Sequence, residues 1–180
     1  MKVCDVPRTA FYDVIRKSFD ALKVEPIALE IGVLRGDNAK IINEKLNPKK
    51  FSLVDEWSTS CIKEYKLLNR NRHWISSSDD YSEYYGGSLN EQSTFDKLYE
   101  ETCKKFSNEK NVKIIKSDSL EAYKIFEQEK IGTIIQKQLK FDFIYLDANH
   151  TFEKVFDELM MYENLLPDLS NPHTNFFSTQ

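Results

Sequence analysis

The sequence predicts an α/β protein built on a doubly wound, mainly parallel sheet of at least four strands. Three observations carry that expectation. Four short apolar runs alternate with amphipathic helical stretches, which calls for parallel strands joined by right-handed crossovers. The first run, Ile27 to Ile31, empties into a turn holding Gly32 and Gly36 before a helical stretch begins. An acid stands at or just beyond the end of every strand: Glu30, Asp55, Asp118 and Asp147. Ligands of open parallel sheets sit at the carboxyl ends of the strands, so these acids mark the expected ligand edge.

The elements follow in order. Phe11, Val14, Ile15, Phe19 and Leu22 recur at helical spacing, so residues 8–23 are expected to form an amphipathic helix. The first strand is 27–31. Glycine in the turn after it lets the backbone come close to a ligand, and the next helix offers unpaired N–H groups. Asp37 or Asn38 is expected to cap that helix, which runs from about 38 to 46 with Ala39, Ile42 and Leu46 on its apolar face. Asn47-Pro48 ends it, and Phe51 to Asp55 is the second strand.

Residues 56–92 then break the rhythm. The stretch is polar and tyrosine-rich, with Tyr65, Trp74, Tyr81, Tyr84 and Tyr85, and it contains Gly86-Gly87. Structureless loops of this length are usually lids, binding loops or disordered, so 57–92 is expected to be a lid-like insertion. A helix resumes near 93–107, with Phe95, Leu98, Tyr99, Thr102 and Phe106 on one face. Val112 to Lys116 is the third strand. Asp118-Ser119-Leu120-Glu121 resembles a capping box opening a helix to about 130. Phe141 to Asp147 is the fourth strand and the most apolar. A helix bearing Phe152, Val155, Phe156, Leu159 and Glu163 runs to about 165, and 168–180 is an irregular tail. Residues 1–180 are expected to be one domain, with the N-terminal helix inside 1–24.

Composition narrows the classes. A hydrophobic content of 41% with 30% charged residues suits a soluble globular protein, and 180 residues suffice to bury a core. The net charge of −4 argues against a nucleic-acid surface, and Arg70, Arg72 and His73 are most simply a solvated face. Cys4, Cys61 and Cys103 are widely spaced and odd in number, which suits reduced thiols in a cytoplasmic protein. The start, Met1 to Asp5, has no apolar leader core, and no apolar run approaches membrane-spanning length.

Asp55 lies 23 residues beyond Gly32, at the end of the next strand, where a carboxylate can accept hydrogen bonds from ribose hydroxyls. The turn Glu30-x-Gly32-x-Leu34-x-Gly36 lacks the middle glycine of a dinucleotide fingerprint, and Leu34 would crowd a pyrophosphate. Glu30 is an anion where a pyrophosphate wants none. A ligand with a ribose and a cationic or neutral centre fits better than a nicotinamide dinucleotide.

These residues resemble the class I S-adenosylmethionine-dependent methyltransferases, a Rossmann-like fold with strand order 3-2-1-4 in this part of its sheet. Glu30, Gly32 and Gly36 match the family's acid-and-glycine turn, and Leu34 departs from it. The resemblance implies that Glu30 and Gly32 lie near the methionyl part of the cofactor and that Asp55 binds the ribose. It places the loop Lys116-Ser117-Asp118-Ser119 against the adenine, although Asp118 and Ser119 would also serve simply as a helix cap. A bacterial subgroup, similar to the macrocin and cephalosporin-hydroxylase-like O-methyltransferases, is closer still. It shares Asp55-Glu56-Trp57 after strand two, Phe95-Asp96-Lys97-Leu98-Tyr99, and Asp147-Ala148-Asn149-His150-Thr151-Phe152 after strand four. Trp57 joins the cofactor set by this resemblance, and its ring either walls a pocket or belongs to the core of a small subdomain.

In metal-dependent relatives the acid ending strand four helps hold Mg²⁺, so the resemblance gives Asp147 that role, with Mg²⁺ as a second group beside S-adenosylmethionine. His150 stands three residues on and suits a general base, since its pKa lies near neutrality, or it simply begins the next helix. The family usually continues with a further glycine turn, a fifth strand and a His-Asp pair, and residues 168–180 show none of these. The expected protein is therefore a truncated or divergent methyltransferase acting on a small-molecule hydroxyl, with Asp147 and His150 facing the acceptor. The alternative is an inactive protein of the same fold that serves in binding or assembly. A second copy of the chain is one way to cover the open edge of strand four.

Overall fold

Short apolar runs bounded by turn residues form four strands: β1 (Ile27–Ile31), β2 (Lys50–Asp55), β3 (Val112–Lys116) and β4 (Phe143–Leu146). The structure is a computed structural model, and it describes residues 8–60, 78–128, 140–148 and 151–167. Several sequence expectations fall outside those residues: Cys4, Cys61, Tyr65, Arg70, Arg72, His73, Trp74, Asn149, His150 and the tail 168–180. The helices are α1 (Arg8–Leu22), α2 (Asp37–Leu46), α3 (Ser78–Tyr85), α4 (Gln92–Lys105), α5 (Ser119–Gln128) and α6 (Phe152–Tyr162). A 3₁₀ turn, Glu163–Leu165, closes α6.

The strands lie in the order β3-β2-β1-β4, and every neighbouring pair is parallel. This is the doubly wound, Rossmann-like α/β arrangement expected from the sequence. Strand order reverses between β1 and β4, so the crevice at their carboxyl ends is the switch point where such sheets take ligands.

Side chains alternate across the strands and feed two apolar layers. On one face Ala28, Phe51, Leu53, Phe143 and Tyr145 pack with Tyr12 and Phe19 of α1, Ala39, Ile42 and Leu46 of α2, and Phe95 and Leu98 of α4. On the other, Leu29, Ile31, Val54 and Ile115 pack with Ala122 and Phe126 of α5 and with Tyr162 and Leu165. Each large side chain taken fully out of water contributes about 1.5–3 kcal/mol before entropy is counted.

Four details differ from expectation. Neither Asp37 nor Asn38 caps α2; Gly36 stands at the N-cap in the left-handed conformation, with no side-chain cap. The two side chains are engaged elsewhere, Asp37 with Lys105 and Asn38 with Glu30. Strand four is shorter than Phe141 to Asp147. The Phe141 N–H turns away to the Leu165 carbonyl at 2.8 Å, which brings the 3₁₀ turn against the start of the strand. The insertion is not structureless throughout, since it contains α3. The helix after strand four forms, but Phe152, Phe156 and Leu159 face water, at 74%, 50% and 36% exposure. Its buried stripe is instead Glu158 and Tyr162, and the Tyr162 hydroxyl donates to the Ser119 carbonyl at 2.6 Å. Among the described residues no helix is long and apolar enough to cross a membrane.

Candidate functional site

The carboxyl ends of the strands are joined by hydrogen bonds that continue the ladder past its last residues. Gly32 N–H donates to Val54 O at 2.9 Å, Ser117 N–H to Asp55 O at 2.9 Å, and Asp147 N–H to Ile31 O at 2.8 Å. Gly32, Asp55 and Asp147 are thereby brought to one edge. Gly32 has φ +89°, and a Cβ there would lie 2.4 Å from the Asp147 carbonyl carbon. Only glycine fits, because the end of β4 passes directly against it. The close approach that the sequence led us to expect of a ligand is made, at this residue, by the protein's own backbone.

Asp55 holds the turn together. Its Oδ2 accepts the N–H groups of Val33 and Leu34, each at 2.8 Å, and its Oδ1 accepts the N–H of Trp57 at 2.9 Å. A carboxylate offers about four acceptor positions, and this brace uses three of them, two on Oδ2 and one on Oδ1. Leu34 sits at φ +54°, in the left-handed region a side chain rarely adopts. Its carbonyl accepts the Trp57 indole N–H at 2.6 Å and the Thr102 hydroxyl at 3.1 Å. Leu34 therefore has a glycine-like conformation held by hydrogen bonds.

Trp57 is 1% exposed, and its ring packs 5.0 Å from that of Tyr99. It braces the turn from beneath and has no face open to a ligand. Gly36, at φ +75°, is covered by Phe106 and Thr102 of the α4 side, where a Cβ would meet Phe106 at 2.9 Å. Lys105 donates to the Arg35 carbonyl at 2.7 Å.

Glu30 is 1% exposed and lies under the turn. Its Oε1 accepts the Asn38 amide at 3.0 Å, and Asn38 Oδ1 in turn accepts the hydroxyl of Tyr12 at 2.8 Å. The polar relay from α1 to β1 fixes the orientation of the buried acid. It was not visible in the sequence, where the helical stripe of Phe11, Val14, Ile15, Phe19 and Leu22 passes Tyr12 by.

Asp118 is exposed, and its Oδ1 accepts the Glu121 N–H at 2.9 Å, which is the helix-capping use the sequence allowed. Ser119 begins α5 and gives its carbonyl to Tyr162. Burial, with Glu158 and Asp118 nearby, pushes the Tyr162 hydroxyl pKa far up, so it stays protonated and donating. At the end of β3, Lys116 lies 4.8 Å from the centre of the Tyr99 ring and 3.2 Å from Asp96. The Gln92 amide and Lys116 hold the Asp96 carboxyl below its ordinary range.

Asp147 is half-buried just beyond the end of β4, and its backbone lies against Gly32. Among the described residues no three His, Cys, Asp or Glu side chains gather closely enough to hold a metal ion.

Sequence reasoning missed Tyr12 and Lys105, which support the site from a distance; it read Asn38 only as a helix cap and Thr102 only as one residue of a helix stripe.

No protein-family model matches the chain, and no curated protein matches it. Among solved structures it is similar to a Staphylococcus aureus protein provisionally assigned as a caffeoyl-CoA O-methyltransferase, at 16% identity and a TM-score of 0.47. The match covers 92% of this chain and 55% of that one, so the chain spans about half the length of this structural neighbour.

Proposed function

We propose that the chain binds S-adenosylmethionine at the β1–β4 edge and transfers its methyl group to a hydroxyl oxygen of a small molecule. The observation that carries this reading is the direction of the turn's N–H groups. Val33 and Leu34 point theirs at Asp55, so the turn is not an open cradle for a pyrophosphate. A buried carboxylate, Glu30, lies beneath it, and Asp55 and Asp147 flank it. Such an edge disfavours an anionic linker and suits a ligand with a cationic centre. The sequence resemblance of Glu30 to Gly36, Asp55-Glu56-Trp57 and Asp147 to Phe152 supports the same choice.

When bound, S-adenosylmethionine supplies an electrophilic methyl group. The acceptor oxygen forms the new bond to carbon as the sulfur–carbon bond breaks, and the electron pair stays on sulfur. The hydroxyl proton has to leave, and Asp147 and His150 are the residues proposed to receive or relay it. The braced turn, with Glu30 buried beneath it, would hold the methionyl end, and Oδ1 of Asp55 would accept a ribose hydroxyl. Fixing the two reactants in line provides most of the rate. No step is assigned to a metal.

A second reading is favoured by one observation. The apolar stripe of α6 faces water, with the Phe152 and Phe156 rings stacked 6.0 Å apart, which suits a protein that works in assembly. Calorimetry with S-adenosylmethionine and S-adenosylhomocysteine, followed by turnover on hydroxylated acceptors, separates the two. Binding with turnover is expected. Binding without turnover on any acceptor favours the second reading, and binding of neither compound overturns the first.

A further inference from the structure

We infer that Thr102 of α4 is a positioning residue for the ligand turn, acting through the carbonyl of Leu34. This rests on the reading that the turn binds S-adenosylmethionine.

A leucine at φ +54° is strained relative to an ordinary conformation, because its Cβ crowds the carbonyl. Something must hold it there. Its N–H is taken by Asp55, and its carbonyl is shared by Trp57 Nε1 at 2.6 Å and Thr102 Oγ1 at 3.1 Å. The two carbonyl donors come from different elements, one from the loop after β2 and one from α4. Thr102 is fully buried, and its hydroxyl also lies 2.9 Å from the Leu98 carbonyl of its own helix. A single hydroxyl proton serves two acceptors, so the Leu34 bond is a choice made by the turn's shape as much as by the helix.

The helix grips the turn at three successive residues. Thr102 takes the Leu34 carbonyl, Lys105 takes the Arg35 carbonyl at 2.7 Å, and Thr102 with Phe106 covers Gly36. The same helix begins with Gln92, whose amide donates to the Trp57 carbonyl at 2.9 Å and whose oxygen accepts the Thr59 N–H at 3.2 Å. The ligand turn and the loop after β2 are therefore registered against one rigid rod. Thr102 touches no ligand position itself. Its effect is to keep Leu34 left-handed, so that Gly32 to Gly36 holds the shape that receives the methionyl end.

The test is calorimetry with S-adenosylhomocysteine on the full chain, run well below the melting temperature of each variant. Thr102→Val keeps the volume and removes the donor, and it should weaken binding about fivefold, the size of one net hydrogen bond. Thr102→Ser should restore wild-type affinity. Leu34→Gly placed in the Thr102→Val background should recover most of the affinity, since glycine is left-handed at no cost. If Thr102→Val does not fold, Thr102→Ala removes the same donor without added bulk and should weaken binding to a similar degree. A Thr102→Val protein (or, in its place, Thr102→Ala) that melts earlier yet binds with unchanged affinity overturns the positioning role and leaves the ligand reading intact. A wild-type chain that does not bind S-adenosylhomocysteine overturns both.

Discussion

Around Asp55, three backbone N–H groups converge on one carboxylate, and the turn they belong to is packed under Trp57, Thr102 and Phe106. On α6, at the other side of the sheet, Phe152 and Phe156 stack on each other in water. The first region spends buried polar groups to hold strained residues, Leu34 at φ +54° and Trp57 at φ +41°, in one geometry. The second leaves apolar surface uncovered beside β4, which pairs only with β1 among the described residues. Preorganisation at one edge and bare surface at the other point to different uses: a small ligand at the first, a larger surface at the second.

The largest effect is expected at Gly32, where the braced turn meets the end of β4. Gly32→Ala would push a methyl group into the Asp147–Ala148 backbone and strain the turn as well. It should cost about 3 kcal/mol or more, or prevent folding, as read by chemical denaturation. Next comes the brace itself. Asp55→Ala leaves three N–H donors without their acceptor and should cost about 3 kcal/mol, with a lower melting temperature. A variant as stable as wild type would show that the turn keeps its shape without Asp55.

The outer edge should behave in the opposite way. Replacing Phe152 and Phe156 together by Ser should change stability by less than about 1 kcal/mol, although two aromatic rings are lost. By contrast Phe126→Ala, on the buried face of α5, should cost about 3–5 kcal/mol. Equal losses at the two sites would mean that the α6 stripe is covered.

The smallest effect concerns Asp142, whose Oδ2 accepts the Ile27 N–H at 2.9 Å. Burial raises its pKa above the ordinary 3.8, with the Ile27 bond opposing in part. An acid whose pKa is higher folded than unfolded binds its proton more readily in the native state, so its charged form detracts from stability at neutral pH. That cost fades as pH falls through the raised value toward 3.8. Asp142→Asn, which can still accept from Ile27, should match or slightly exceed wild-type stability at pH 7. The difference should shrink on acidification, and thermal melts across that range would show it.

How much of this was legible follows from the range of the interactions. β1 and β3 were readable residue by residue, because apolar runs between turn residues are local signals. The acids at the strand ends followed from topology alone. Spacing also located the stripe on α6 but not the direction it faces, since periodicity says nothing about what lies opposite. Trp57 was open to two readings, pocket wall or core, and its buried ring donates to the carbonyl of Leu34, 23 positions earlier. The Tyr12–Asn38–Glu30 relay and the Thr102 bond span 26, 8 and 68 positions, and no local pattern encodes such pairings.

The central claim is that the Glu30–Gly36 turn is shaped for a ligand without a pyrophosphate. Calorimetry of the same preparation against S-adenosylhomocysteine and against NAD tests it most directly. The account predicts saturable binding of S-adenosylhomocysteine, weakened in Asp55→Ala, with no heat from NAD. Tight binding of NAD with none of S-adenosylhomocysteine would contradict it.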